Sequence, residues 1–172
     1  MFLKAFKEKS NRKYINKLLD APKVAKSCNK IKTIVVLLCL DDYADFEVFR
    51  QYFRGLGLTS PKHKVIAFTK NDKFESSQWD THFSPKDFGW NGKINNVDLK
   101  SLIDEPYDCL ISYHKKDILE LDLITAMSKA RFKVGLSKEE ERLYDLIIDI
   151  KPQEIEVFKK ELEKYLNILN KL

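Results

Sequence analysis

Tyr107-Asp-Cys-Leu-Ile-Ser-Tyr-His-Lys-Lys-Asp117, then Ile118 to Ala130, then Arg131-Phe-Lys-Val-Gly135, is the stretch that decides the fold. The first segment is apolar with no alternation until its polar end. The second places Ile118, Leu121, Ile124 and Met127 at helical spacing, and Asp117 stands where an N-cap is wanted. The third is apolar again. Strand, amphipathic helix and strand make a crossover unit, and such units build parallel sheets.

Working outward, Thr33-Ile-Val-Val-Leu-Leu-Cys-Leu40 also lacks alternation, so both its faces need cover, as in a central strand sheathed by helices. Asp41, Asp42, Tyr43, Ala44 and Asp45 follow, with Asp42 or Asp45 placed to cap a helix that buries Phe46, Phe49, Phe53 and Leu56. Gly55 and Gly57 stop that helix. Lys64 to Thr69 is a second strand. Residues 70–93 are irregular, with one short strand around Thr81 to Ser84. Asn96 caps a helix from Val97 to Ile103, and Pro106 parts it from the strand that begins at Tyr107. Phe132 to Leu136 and Leu146 to Ile150 are further strands on either side of a charged loop. Ile155, Phe158, Leu162, Tyr165, Leu166 and Leu169 mark a terminal helix.

At the other end, residues 2–19 carry Leu3, Phe6, Tyr14, Ile15, Leu18 and Leu19 as an apolar face among Lys and Arg, and Ala21-Pro22 ends the helix. The whole pattern predicts an α/β fold. It is a three-layer Rossmann-like sandwich with a mostly parallel sheet of five or six strands and helices on both faces. Residues 1–22 form a basic amphipathic helix and residues 23–172 a single domain. The order of strands in the sheet is not readable.

At 172 residues, 44% hydrophobic and 33% charged, the chain has the balance of one globular domain. Ten Lys/Arg against Glu8 and Asp20 leave residues 1–32 at +8, so residues 33–172 carry −3 within a whole-chain +5. A basic arm is joined to a mildly acidic body. Three cysteines without close spacing predict thiols in a reducing, cytoplasmic setting, with Cys39 and Cys109 acting as small hydrophobes. The start of the chain lacks the continuous apolar segment of an export signal. The longest apolar run, Ile34 to Leu40, is far short of the roughly 20 residues that span a bilayer.

Several chemistries are disfavoured by what stands at their expected positions. A dinucleotide site needs Gly-x-Gly-x-x-Gly after the first strand, and here that turn is Asp-Asp-Tyr-Ala-Asp. The phosphate-binding lysine loop and the Gly-x-Ser-x-Gly elbow do not occur. His63, His82 and His114 stand far apart, so no metal and no cofactor are expected.

Three regions remain as candidates, each with a plainer alternative. Parallel sheets bind ligands beyond the carboxyl ends of their strands. Asp41, Asp42, Tyr43, Lys70, Ser112, Tyr113, His114 and Lys115 form that crest here, and a carboxylate facing a histidine suits acid–base work. The plainer reading has the acids as caps, the lysines solvated and His114 as an exposed loop residue. Trp79, His82, Lys86, Asp87 and Trp90 belong to an irregular aromatic segment that either closes over the crest as a lid or covers the sheet edge. Lys4, Lys7, Lys9, Arg12, Lys13 and Lys17 on the first helix either meet an anionic partner (RNA, ribosome or membrane surface) or are solvated.

Phe83-Ser-Pro-Lys-Asp-Phe-Gly-Trp90 with Gly92-Lys93, Leu123-Ile-Thr-Ala-Met-Ser-Lys-Ala130 and Tyr144-Asp-Leu-Ile-Ile-Asp149 resemble a family of small uncharacterised bacterial proteins, a domain of unknown function. That resemblance covers nearly the whole chain and implies no activity. Locally, Tyr107-Asp-x-Leu-Ile-Ser-Tyr-His and Ala130-Arg-Phe-Lys-Val-Gly135 are similar to the amino-terminal half of heptosyltransferase-type glycosyltransferases. This implies a Rossmann-like half-domain. The Gly-Asp turn of those enzymes is replaced here by Asp41-Asp42, so the transferase activity is not expected to carry over. The expectation is a cytoplasmic binding or interaction module without catalysis, monomeric or homodimeric. The alternatives are a small enzyme or receptor at the crest and an anionic partner at the first helix.

Overall fold

The computed structural model describes residues 2–22, 30–59, 62–70 and 82–172. Cys28, Trp79 and Thr81 lie outside them. The elements in chain order are α1 (Phe2–Leu19), β1 (Ile34–Cys39), α2 (Glu47–Gly55), β2 (His63–Phe68), β3 (His82–Phe83), α3 (Val97–Asp104), β4 (Cys109–Tyr113), α4 (Leu119–Met127), β5 (Phe132–Gly135), β6 (Leu146–Ile147) and α5 (Ile155–Ile168). All strand pairings are parallel, in the order β3-β2-β1-β4-β5-β6. The order reverses between β1 and β4.

Unbroken apolar runs become central strands because each face of β1 meets a different helix layer. Ile34, Val36 and Leu38 pack with Phe49 and Phe53 of α2 and Phe158, Leu162 and Leu166 of α5. Val35, Leu37 and Cys39 pack with Leu99 and Leu102 of α3, Leu121 and Ile124 of α4, and Ile15 of α1. Each such side chain removed from water contributes roughly 1.5–3 kcal/mol. The three-layer α/β sandwich is thereby realised, with six strands.

Local expectations needed correction in five places. Neither Asp42 nor Asp45 stands at the N-cap of α2, which is Phe46 with no side-chain cap, although Asp45 Oδ1 accepts from Val48 N (3.3 Å). β4 begins at Cys109, because Tyr107 N donates back to Glu105 O (2.9 Å) in the turn after Pro106. β6 stops after two residues, because Ile150 N donates to Ile148 O (2.9 Å) and bends the chain away from β5. Asp117 does not cap α4; Ile118 occupies that position with no side-chain cap, and the Asp117 carboxylate instead receives both bonds of Arg12 (2.8 and 2.9 Å). The apolar face expected on α1 is divided. Ile15 is buried, whereas Leu3 and Phe6 are 76% and 59% exposed. Phe6 and Ile15 stand nine residues apart, about two and a half turns, so they point to opposite sides.

α1 is clamped along its second half. Asn11, only 2% exposed, donates from Nδ2 to Gly89 O (3.0 Å) and accepts at Oδ1 from Gly92 N (2.9 Å). Ser10 Oγ donates to Asn91 Oδ1 (2.7 Å), and Arg142 reaches both Asn16 (2.8 Å) and Asp20 (2.8 Å). The turn that receives α1 has Asn91 and Gly92 at φ 52° and 72°. At Gly92 a Cβ would lie 2.2 Å from the Tyr14 ring, so conformation and space both demand glycine there.

Candidate functional site

Since strand order reverses between β1 and β4, the crevice a ligand would enter lies between the loops that follow them. Strand β1 closes with a tight turn in which Asp42 N and Tyr43 N both donate to Cys39 O (3.0 and 2.9 Å). The Asp42 carboxylate, 6% exposed, takes Lys116 Nζ at 3.0 Å and Lys115 N at 3.4 Å. Asp42 O accepts from Gln153 Nε2 (3.2 Å). Lys115 Nζ donates to Leu136 O (2.9 Å) and pairs with Asp149, whose other oxygen takes Lys138 (2.6 Å). These two lysines hold the Asp149 carboxyl down at about 2. Two ion-paired sets, Asp42 with Lys116 and Asp149 with Lys115 and Lys138, thus stand across the crevice, joined through the Lys115 backbone amide.

The remaining crest residues divide between core and surface. Tyr113 is fully buried, stacks edge-on against Phe49 (4.9 Å) and Phe158 (4.9 Å), and donates from its hydroxyl to Pro152 O (2.8 Å). Tyr43 is half-buried against the same cluster, 5.5 Å from Tyr113. Ser112 is fully buried and accepts from Thr125 Oγ1 (3.3 Å). Asp41 and Lys70 are exposed. His114 is not the exposed loop residue of the plainer reading; its exposure is nil. It stands one residue past the end of β4, where the loop folds its ring inward. His114 Nδ1 pairs with Lys116 O (2.8 Å); a carbonyl only accepts, so Nδ1 carries the proton. Nε2 is then a buried acceptor without a partner, and burial pushes the imidazole below its ordinary pKa.

A second polar group, missed in the sequence, sits where α1 crosses the start of α4. Arg12, Asn16, Asp117, Asp122 and Glu139 line an open cleft of about 160 Å³. Asp122 is 7% exposed, and burial, followed by the hydrogen bond and charge of Asp117, pushes its carboxyl up to about 8. Burial and Asp117 favour its protonated form, and Arg12, 3.9 Å away, opposes them. Nothing local marks it, because it stands between Leu121 and Leu123 in the first turns of α4, where Glu120 is a second acid of the same kind. Among the described residues no group of three His, Cys, Asp or Glu is arranged to hold a metal ion.

The aromatic segment divides as well. Phe83 and Phe88 are core. Asp87 closes a capping box with Ser84 (2.8 Å) and takes Asn96 Nδ2 (3.2 Å), so it is structural. His82 and Lys86 are exposed, and Trp90 is 47% exposed beside the turn that grips α1.

Of the six basic candidates on α1, only Arg12 is committed to the body. Lys9, Lys13 and Lys17 are exposed at steps of four residues on the side opposite Asn11 and Ile15. Among the described residues no helix is long and apolar enough to cross a membrane.

With this geometry in place, residues 7–169 match a family of unknown function, DUF6913. The chain belongs to that family. No curated protein and no solved structure matches it. The local likeness to the glycosyltransferase half-domain therefore rests on its own residues, and the DUF6913 fold is read from this chain directly.

Proposed function

We propose that this DUF6913 protein is a non-catalytic binding module that meets a polyanionic partner through the outward face of α1. The supporting observation is the division of labour along that helix. Asn11, Arg12, Ile15 and Asn16 hold it to the body, while Lys9, Lys13 and Lys17 stay in water on the far side. A rigidly held row of lysines binds a polyanion without the ordering cost of a floppy arm. The charges at the strand ends favour this reading over catalysis, since Asp42 is paired with Lys116 and Lys115 with Asp149.

The experiment is a fluorescence titration of full-length protein with polyuridylate and with anionic vesicles, repeated on Lys9→Glu/Lys13→Glu/Lys17→Glu. The reading expects binding that weakens as salt rises and is lost in the triple variant. Equal binding by both proteins contradicts it. A second reading, a small-ligand receptor, is favoured by the Asp122 cleft alone. It predicts a ligand whose stabilising effect on the protein disappears in Asp122→Ala.

A further inference from the structure

We infer that the partner of α1 is an anionic lipid interface, met with Phe2, Leu3 and Phe6 inserted and the lysine row lying along the headgroups. This rests on α1 being the binding face and goes on to name what binds there. The first turns of α1 are unusual because three large apolar side chains face water: Phe2 is 84% exposed, Leu3 76% and Phe6 59%. Leaving them there wastes the burial that drives most folding, unless an apolar phase receives them.

Their placement supplies the argument. Phe2, Phe6, Lys9, Lys13 and Lys17 step by four, three, four and four residues, which is one straight stripe along a helix. The buried positions, Asn11 and Ile15, lie on the other side. The outward stripe is thus apolar for its first two turns and cationic for the next three. An RNA duplex rewards the cations alone, and a single strand can stack bases on the two rings but offers Leu3 no apolar phase. An anionic bilayer surface rewards both, with the apolar end in the acyl boundary and lysines among phosphates. Trp90 adds an aromatic one residue from Asn91, which bonds to Ser10 on this flank. The family match begins at Lys7, ahead of which stand all three apolar residues, so the inference concerns this chain.

The test is flotation of full-length protein with vesicles of phosphatidylcholine alone, and of phosphatidylcholine with an equal part of phosphatidylglycerol. Polyuridylate binding is measured in parallel. The protein is expected to float with the anionic vesicles and to stay behind with the neutral ones. Phe2→Ala and Phe6→Ala are each expected to lower the partition coefficient about tenfold, and Lys13→Gln about fivefold. Loss of polyuridylate binding in the two Phe variants with flotation unchanged would mark base stacking and overturn the insertion. All three side chains face solvent, so the fold is not at risk. Flotation that ignores the Phe substitutions overturns the insertion. Polyuridylate binding without flotation overturns the lipid partner and leaves α1 as a polyanion site. Binding to neither probe overturns both.

Discussion

Asn11 is a polar side chain buried to connect a helix with a turn, and its loss should be felt through the groups it leaves behind. Replacing it with Ala strands Gly92 N and Gly89 O, which costs roughly 1–3 kcal/mol. The same substitution at exposed Lys9 should change the urea midpoint hardly at all. Gly92→Ala forces a side chain into the Tyr14 ring at a positive φ and should destabilise by more than 1 kcal/mol, about the cost of the backbone strain alone. Chemical denaturation of the three variants checks the ranking. Asp122 carries a pH prediction. Its folded-state pKa lies above the unfolded value, so the native state holds the extra proton between about pH 4 and 8, and stability falls as pH rises through that window. The slope is at most about 1.4 kcal/mol per pH unit. Asp122→Asn mimics the protonated acid and should remove the decline, leaving acid stability as it was. His114 acts in the opposite sense. Burial lowers its pKa, so the stability it secures when neutral is lost as pH falls below the ordinary histidine range. Buried His63, also lowered by desolvation, adds to that loss, so melting curves of Asp122→Asn across pH should expose the acid-side contribution of the two histidines together.

At the scale of elements, β5 tests how closely the sheet is packed. A Cβ on Gly135 would sit 2.4 Å from the ring of Tyr144, so Gly135→Ala requires the loop from Leu136 to Tyr144 to shift. Its expected cost is about 1–3 kcal/mol, that of an overpacked core site, measured by thermal unfolding. Elements such as β1, β2 and α4 were legible because their signal is local: an unbroken apolar run, or apolar residues at helical spacing. The end of an element was less so. Asp117 looks like a cap in isolation, and its actual partner, Arg12, lies far back in the chain on another helix. Composition groups the apolar residues of α1 together, and helical phase separates them. Leu3 and Phe6 stand twelve and nine residues from Ile15, which puts them outside the docked side.

For the whole molecule, the crossover units disclosed a parallel sheet but could not disclose that β1 lies beside β4, because strand order is fixed by how helices pack after chain closure. The crest followed from that order only in part. Asp42 and Lys115 do meet there, whereas Ser112, Tyr113 and His114 are buried. Lys116, Lys138 and Asp149, which complete the ion-paired sets, come from loops whose approach no local pattern reports. The charge division between arm and body was visible in composition alone, and the structure gives it a direction by holding α1 through Asn11, Arg12, Ile15 and Asn16 and leaving Lys9, Lys13 and Lys17 outward. Hydrogen exchange of the full-length protein with and without anionic vesicles tests the central claim most directly. Slowed exchange at residues 2–9, with no change at 41–43 and 113–117, is the predicted result. Protection at the strand ends with none on α1 would contradict it.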